Sequence, residues 1–339
     1  MRQRRITSID VAREAGVSRT TVSYVLNETH AQTIPEATRI RVRDAAARLG
    51  YVASAAGRAL RTGRSRIVLM LAPDYPLPTA AEQGMRALTR FLEKYGLVLV
   101  IHHQTSGDVE ASRCLWANID PALVIVSDAM AGAPLELLRS SGVDHIVAFT
   151  GRAGPDAENL EIDESRIGRI QAKHLLSCGH SHIAYAYSSN ERQRGFGDLR
   201  FQGVSETCRA QFVDDPVSVV VPHDVPGSAA VVRRLIAEGV TGICAYDDDV
   251  ALAILAGARE AGVCVPATLA VVGVDDIPAA AFAVPPLTTV SVDYTDIAEF
   301  VAEGVANLVL GTPPAVLREA GHIQLVLRAT STPRQNEYP

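Results

Sequence analysis

Residues 6–27 read ITSIDVAREAGVSRTTVSYVLN, and this stretch decides the class of fold at the N-terminus. Two short amphipathic segments flank Gly16, which can form a tight turn because it has no Cβ. Ser8 is placed to cap the first helix and Ser18 to cap the second. Helical spacing predicts buried residues in each helix: Ile9, Ala12 and Ala15, then Val22, Val25 and Leu26. The pattern predicts a helix-turn-helix with a polar second helix.

A third helix is predicted to follow directly. Thr33 and Glu36 have the spacing of a capping box, and Pro35 lies near the expected first turn. The apolar stripe of this helix is predicted to be Val42, Ala45, Ala46 and Leu49. Three small helices with a polar second helix are typical of a DNA-binding headpiece, whose second helix enters the major groove. A plain helical hairpin is the weaker alternative, because caps, turn and periodicity all agree.

The distribution of charge supports an interaction with DNA. Residues 1–66 contain thirteen Arg, no Lys and five acidic residues, a net charge of +8, whereas the whole chain has −6. The rest of the chain therefore carries −14. A basic N-terminal segment on an acidic body indicates that only the first module contacts phosphates.

Several longer motifs resemble one family. AGVSRTTVSYVLN and EATRIRVRDAAARLGYVASAAGRALRTGRS are similar to the N-terminal part of the lactose-repressor (LacI) family. The resemblance resumes at LLSCGHSHIAYA, at TGICAYDDDVALAILAGAREAGVCVPATLAVVGVDD and at PPLTTVSVD, so it covers nearly the whole chain. It implies a sequence-specific transcriptional regulator, a repressor by default, that binds double-stranded operator DNA as a homodimer. Activation stays an alternative, because the chain does not encode where its operator lies.

From residue 66 onward, β-branched runs alternate with helical patterns, which indicates parallel sheets covered by helices on both faces. Roughly 270 residues exceed what one such sheet usually needs, and this favours two lobes. The predicted strands are residues 67–72, 97–102, 122–127, 145–149, 182–187, 217–221, 242–245 and 269–274. The predicted helices include residues 80–95, 167–177 and 250–261.

The fold class predicted for the chain is an all-α helix-turn-helix headpiece followed by an α/β body. The resemblance implies that the body is periplasmic-binding-protein-like, with two doubly wound parallel-sheet lobes and three crossings near Glu161, Val292 and His322. The predicted domains are residues 1–53 for the headpiece, 54–65 for the hinge or linker, 66–331 for the effector-binding and dimerisation body and 332–339 for the tail. The N-lobe would comprise about 66–161 and 293–321, and the C-lobe about 162–292 and 322–331.

The positions in the headpiece suggest how DNA would be contacted. Arg19 and Thr20 lie in the first turn of the second helix and Tyr24 lies one turn later, so these three are predicted to contact bases. Residues predicted to contact phosphates are Thr7, Ser8, Ser18, Thr21, Ser23 and Asn27. The family usually has Arg where Tyr24 stands, so one strong guanine-reading residue is replaced.

By resemblance, residues 54–61 form a hinge helix that folds on DNA and inserts a leucine into the minor groove, unstacking the central base step. The hinge residues predicted to act there are Ser54, Gly57, Arg58 and Leu60. The family often has Ala where Gly57 stands, and a glycine within a helix costs about 1 kcal/mol, so this hinge is expected to be less helical without DNA. Composition alone would equally allow a flexible tether.

The resemblance also implies an effector site between the lobes. Arg200 matches the family's usual effector-binding arginine, and Asp275 matches its partner acid. Together they suit adjacent hydroxyls of a sugar, although either residue could belong to a structural ion pair. Further candidates are Asp247, Tyr246, Asp74, Tyr75, Ser127 and Asp163. A carbohydrate is the default ligand; a nucleoside, a sugar phosphate or no effector stay open, because Gly151, Tyr246 and Val274 depart from the family.

Other classes of protein fit the sequence less well. No apolar run reaches the length of a membrane span and no signal peptide precedes the headpiece, so no membrane partner and a cytoplasmic location are predicted. The acids of residues 247–249 are best placed to cap a helix, and Cys178, His180 and His182 lack a second ligand pair, so neither group is predicted to bind a metal. The five cysteines are expected to be reduced thiols. No catalytic constellation or cofactor is predicted, and a solute-binding receptor is the alternative.

Overall fold

We describe a computed structural model of the chain. It describes residues 6–26, 34–51, 65–72, 77, 79–103, 115–116, 118–126, 133–143, 145–148, 158–159, 163–312 and 322–331. The chain divides into two compact units, Met1–Arg66 and Ile67–Pro339. No helix in these ranges combines the length and the apolar character needed to cross a bilayer.

The first unit contains three helices, α1 (Ser8–Ala15), α2 (Arg19–Leu26) and α3 (Glu36–Arg48). Gly16 adopts φ +65° between α1 and α2, which is the left-handed conformation expected of a glycine turn. The three helices surround one small core, formed by Val11, Ala12, Ala15, Val22, Val25, Val42, Ala45 and Ala46. The predicted helix-turn-helix and its third helix are therefore confirmed.

Two details of α1 were predicted wrongly. Thr7, not Ser8, is the N-cap: its backbone is extended, and both its amide and its hydroxyl donate to the Asp10 carboxylate. Ser8 already lies inside the helix, where its side chain cannot cap. Ile9 is 50% exposed whereas Val11 is fully buried, because the buried stripe runs through residues 11, 12 and 15 rather than through the first turn. α3 begins at Glu36 with Pro35 as N-cap, and Thr33 lies outside the described residues.

The second unit begins with a parallel sheet, sheet A. Its strands are β1 (Ile67–Ala72), β2 (Val98–His103), β3 (Leu123–Val126), β4 (Ile146–Ala148) and β5 (Glu158–Asn159). They lie in the order β2-β1-β3-β4-β5. Two helices between these strands are α4 (Thr79–Lys94) and α5 (Ala133–Ser140). A helix between successive parallel strands is the arrangement predicted from the alternating pattern.

The larger sheet, sheet B, contains six strands in the order β11-β10-β9-β8-β6-β7, and only the β10–β11 pair is antiparallel. Its strands are β6 (Ile183–Ser188), β7 (Val217–Val221), β8 (Gly242–Ala245), β9 (Ala270–Val274), β10 (Thr288–Val292) and β11 (Ile323–Val326). Its helices are α6 (Glu164–Ser177), α7 (Arg194–Ala210), α8 (Val225–Ala237), α9 (Asp248–Glu260) and α10 (Pro278–Phe282).

The last long helix, α11 (Tyr294–Leu310), starts directly after β10 of sheet B but packs against α4, which belongs to sheet A. The approach is close at Gly84, where an added Cβ would lie 2.7 Å from the Cβ of Tyr294. The chain returns to sheet B at β11, and the Asp293 amide donates to the His322 carbonyl beside these passages. The two-lobed α/β body is thus confirmed, while the exact lobe boundaries stay a prediction.

Predicted and observed strands agree closely, with identical bounds for β1, β7 and β8. Five others start one residue later than predicted, and in two of them the preceding turn uses the first amide. The Leu97 amide donates to Leu92 and the Leu269 amide donates to Cys264, so neither is available to a neighbouring strand. α6 starts earlier than predicted, at Glu164, because the Asp163 carboxylate caps it through the Arg166 amide.

Candidate functional site

The first candidate site is the outer face of α2. Ser18 stands just before this helix, and its hydroxyl oxygen accepts from the Thr21 amide at 3.0 Å, as a helix cap does. The Ser18 and Thr21 hydroxyls also lie 2.9 Å apart. Arg19 and Thr20 follow the cap and are exposed. The first turn of α2 therefore presents a guanidinium and a hydroxyl to solvent while Val22 and Val25 hold the helix on the core.

The other predicted DNA contacts occupy varied positions. Ser23 and Tyr24 are half-buried on α2, and Ser8 is half-buried in α1. The Thr7 hydroxyl donates to Asp10 at 2.7 Å, so it is engaged in the cap of α1. Five predicted DNA-contacting residues lie outside the described residues: Asn27, Ser54, Gly57, Arg58 and Leu60. Their roles stay predictions.

The second candidate site lies where β8 and β9 end, beside the middle of α7. Parallel sheets bind ligands at the carboxyl ends of their strands. Tyr246 and Asp247 follow β8, and Asp275 follows β9. Arg200 projects from α7 and is only 4% exposed. Four of the predicted effector residues are thus brought together, while Asp74, Tyr75 and Ser127 lie outside the described residues.

Arg200 is held by two strong contacts. Its Nε donates to Glu164 Oε2 at 2.7 Å, and its Nη1 donates to the Tyr246 carbonyl at 2.6 Å. The guanidinium also lies 4.8 Å from the centre of the Tyr246 ring. Burial alone would lower the pKa of Arg200, but Glu164, Tyr246 and Asp275 reverse this effect and raise the pKa. The side chain is therefore a fixed, permanent cation.

Glu164 is a site residue that the sequence did not reveal. It is the first residue of α6 and it is buried against Arg200. An acidic residue in the first turn of a helix usually indicates only a favourable interaction with the helix dipole. No local signal distinguishes a buried Glu from an exposed one at this position. Its role depends on a partner 36 residues away.

Asp275 is also buried, and it occupies a left-handed backbone conformation with φ +97°. Its Oδ1 accepts from the Tyr294 hydroxyl at 2.8 Å. Burial raises the pKa of this carboxyl, although Arg200 and the Tyr294 hydrogen bond act in the opposite direction. Tyr294 is the second residue that the sequence analysis missed. The available signal was an aromatic residue directly after the crossing predicted near Val292.

Asp248 holds the turn that carries Asp275 through two hydrogen bonds. Asp248 Oδ1 accepts from the Thr289 hydroxyl at 2.6 Å, and Oδ2 accepts from the Ile277 amide at 2.9 Å. Gly273 makes room for this carboxylate, because an added Cβ would lie 2.1 Å from Asp248 Oδ1. Burial raises the pKa of Asp248 to about 7. These contacts hold the strained turn in one conformation.

Two other residues that were predicted to bind the effector have local structural roles. Asp247 accepts from the Val250 amide at 2.8 Å, which confirms that it caps α9, and burial raises its pKa to about 6. Asp163 is exposed, caps α6 and forms an ion pair with Arg169. Its hydrogen bonds and ion pair are with Ser165, Arg166 and Arg169, not with Arg200 or Asp275.

The other sequence candidates have ordinary structural contacts. Cys178 contacts His174 and the Ser331 carbonyl, and His180 lies 3.2 Å from the Thr241 hydroxyl. Within the described ranges, no three His, Cys, Asp or Glu side chains converge as a metal site would require. The described cysteines, Cys178, Cys208, Cys244 and Cys264, are unpaired.

Fold and sites together define a helix-turn-helix regulator with a two-lobed α/β body. Two family models match the chain: "Bacterial regulatory proteins, lacI family" over residues 8–54 and "Periplasmic binding protein-like domain" over residues 172–331. The HTH-type transcriptional repressor PurR of Haemophilus influenzae is 30% identical over 292 residues, which cover 83% of this chain and 84% of that repressor. The chain belongs to the LacI family of DNA-binding transcriptional regulators.

Two solved structures are similar to the chain over nearly its whole length. The transcriptional regulator CelR in complex with cellobiose is 26% identical with a TM-score of 0.68, over 96% of this chain and all of that chain. The Lac repressor dimer bound to operator and the anti-inducer ONPF is 21% identical with a TM-score of 0.76, over 97% of this chain and 100% of that chain. The second likeness confirms the fold.

Proposed function

We propose that this regulator is a repressor that binds a pseudo-palindromic operator as a homodimer and responds to a small carbohydrate between its lobes. The observation that carries the DNA part is the capped helix α2, whose first turn presents Arg19 and Thr20 to solvent. A helix-turn-helix reads bases with the N-terminal part of its second helix. Arg19 suits bidentate contact with guanine, and Tyr24 can contact a thymine methyl or donate one hydrogen bond.

The experiment that tests this proposal is selection of bound duplexes from a random library, followed by a salt titration of the best duplex. A two-fold symmetric protein is expected to enrich a palindrome, and phosphate contacts are expected to give a steep decrease in affinity with salt. A flexible pyrimidine–purine step at the centre would support the hinge residues. If no sequence is enriched, the proposal of an independent operator-binding repressor is wrong.

Arg19→Ala is expected to weaken binding to the selected duplex by about 10- to 100-fold, because one bidentate contact with a base is worth about 1–3 kcal/mol. Competition gel-shift measurements against random DNA provide the readout. The matched control is Arg41→Ala, which removes the same charge from an exposed position on α3. Equal losses for both variants would mean that Arg19 supplies charge and does not read bases.

We further propose that an apolar surface near α10 forms part of the dimer interface. Phe282, Val284 and Leu327 are 83%, 91% and 65% exposed, respectively. The two segments that carry them are neighbours, since the Ala329 amide donates to the Pro286 carbonyl. Exposed large apolar residues in one region are typical of an interaction surface. A second copy is the proposed occupant, because one headpiece buries too little surface to specify an operator.

Phe282→Asp is expected to shift the protein from dimer to monomer at micromolar concentration, because it places a charge in an apolar interface. Sedimentation velocity measures the change, and operator affinity is expected to decrease with it. Phe212→Asp is the control, since Phe212 is almost fully exposed but lies at the end of α7. A dimeric Phe282→Asp protein would exclude this surface from the interface.

The ligand part of the proposal is supported by the polar groups at the ends of β8 and β9. Arg200 supplies donors and Asp275 supplies an acceptor, which suits neighbouring sugar hydroxyls. The structure of CelR with cellobiose is the comparison that favours a carbohydrate. Release of the selected duplex by a panel of mono- and disaccharides tests this part separately. A protein that binds sugar but no specific duplex would instead be a solute-binding receptor, and specific binding unaffected by any ligand would indicate an effector-independent regulator.

A further inference from the structure

Tyr294 stands at the junction between the two halves of the body. It is the first residue of α11 and is separated from the end of β10 by Asp293 alone. Its backbone, however, packs against α4: an added Cβ on Gly84 would lie 2.9 Å from the Tyr294 carbonyl oxygen. The two backbones can approach this closely only because residue 84 has no side chain. The Tyr294 backbone is therefore tied to the elements of sheet A.

Asp275, which accepts from the Tyr294 hydroxyl, is held by hydrogen bonds to residues of sheet B instead. The Asp275 amide donates to the Val290 carbonyl at 2.8 Å, and Asp248 binds the Ile277 amide two residues later. The turn of residues 275–277 thus has little freedom to follow a moving helix. The 2.8 Å hydrogen bond from Tyr294 to Asp275 therefore joins the first residue of α11 to the turn of residues 275–277.

We propose that Tyr294 is a gate on Asp275: an effector that donates a hydrogen bond to Oδ1 of this carboxylate takes the place of the tyrosine hydroxyl and so frees α11 from the turn of residues 275–277. This inference rests on the ligand cleft proposed above. The displaced contact is the link between ligand occupancy and the angle of the lobes. A ligand can shift that angle only if it binds the two arrangements with different affinity, and competition with the Tyr294 hydroxyl for Oδ1 of Asp275 provides this difference.

The gate also restricts the chemistry of the ligand. A group that replaces the Tyr294 hydroxyl must donate to a carboxylate, so it must carry an O–H or an N–H. Carbonyl oxygens, ether oxygens and the oxygens of a fully ionised phosphate can only accept. The two carboxylates of Asp275 and Glu164 outnumber the single cation of Arg200, so an anionic ligand would also be repelled. The expected ligand is not an anion and has a free O–H or N–H at this position; among carbohydrates, a neutral polyol or an amino sugar meets this requirement.

Tyr294→Phe tests the gate, because it keeps the ring and removes only the donor. We expect the purified variant, with no sugar added, to bind the selected duplex with an affinity at least fivefold different from that of the unaltered protein. A decrease would mean that the effector is an inducer, and an increase that it is a corepressor. Amide hydrogen exchange at Ile277 and in the first turn of α11 is expected to be about tenfold faster. This decrease in local stability is about that expected for the loss of one hydrogen bond to a charged group.

The matched control is Tyr187→Phe. This hydroxyl also donates to a carboxylate, Asp198, but both residues belong to the elements of sheet B. We expect a change of less than twofold in duplex affinity and no change in exchange at Ile277. If the two variants behave alike in both measurements, the gate does not exist.

A double-mutant cycle distinguishes loss of the Tyr294–Asp275 contact from a general loss of stability. In an Asp275→Asn background the acceptor is neutral, so removal of the Tyr294 hydroxyl is expected to have a smaller effect. An undiminished effect would overturn the proposal. If no duplex is selected at all, the proposed operator binding has failed, whereas amide exchange still decides whether the contact couples the two parts.

Discussion

Replacing Arg200 with leucine is expected to lower the free energy of unfolding of the body by about 3–5 kcal/mol, which is the usual cost of breaking a buried ion pair from one side. The physical reason is the Glu164 carboxylate, which is 7% exposed and would lose its cationic partner. The Tyr246 carbonyl would lose a donor as well. Urea denaturation followed by circular dichroism measures the loss.

The matched control is the double variant Arg200→Leu with Glu164→Gln. A glutamine is neutral, so it removes the uncompensated charge and leaves only the cost of imperfect hydrogen bonding. We expect the double variant to recover at least half of the stability lost by Arg200→Leu alone. If it recovers none, the loss results from packing around Arg200 and not from the buried carboxylate.

The ion pair bears on how Arg200 can act. A guanidinium has five N–H donors, and the two contacts with Glu164 and Tyr246 use two of them. A structural ion pair and contact with a ligand are therefore compatible roles for this residue. The structural role is observed, and contact with an effector stays a prediction.

Much of the fold could be predicted because it depends on local patterns. The turn at Gly16, the cap at Ser18 and the stripe of Val22 and Val25 are encoded within a few residues, and all are observed. Strands that are buried on both faces appear in the sequence as short apolar runs. Errors occurred at boundaries, such as the cap of α1, where Thr7 and Ser8 are equally suitable by residue type and only the backbone decides.

The candidate site was predicted less completely because its contacts are tertiary. Arg200 and Asp275 came from a resemblance between motifs, whereas Glu164 and Tyr294 are brought to them by the packing of α6 on α7 and of α11 on α4. Asp248 was expected only to favour the start of a helix, yet it reaches across to Thr289. Periodicity predicts which face of an element is buried, but it cannot predict which residue of another element meets it.

Gly203→Ala is expected to lower the free energy of unfolding of the body, because Gly203 lies where α6 and α7 are in closest contact. An added Cβ at Gly203 would lie 1.9 Å from the Ser165 carbonyl oxygen, and one at Gly168 would lie 1.9 Å from the Arg200 carbonyl oxygen. Both obstacles are backbone atoms, so the helices must separate. Such overpacking costs about 3 kcal/mol or more, and the better helix propensity of alanine returns about 1 kcal/mol, which leaves a net loss of about 2 kcal/mol or more.

Separation of these helices is also expected to affect the site, because Glu164 is on α6 and Arg200 is on α7. In the Arg200→Leu background the ion pair is already absent, so Gly203→Ala should cost less there than in the unaltered protein. The control for helix propensity is Gln202→Ala, an exposed neighbour on α7 that is expected to change the free energy of unfolding by less than about 0.5 kcal/mol. Urea denaturation of the unaltered protein, Gly203→Ala, Arg200→Leu and the double variant measures the coupling, with Gln202→Ala measured alongside. Strictly additive losses would show that α6 and α7 separate without disturbing the Glu164–Arg200 pair.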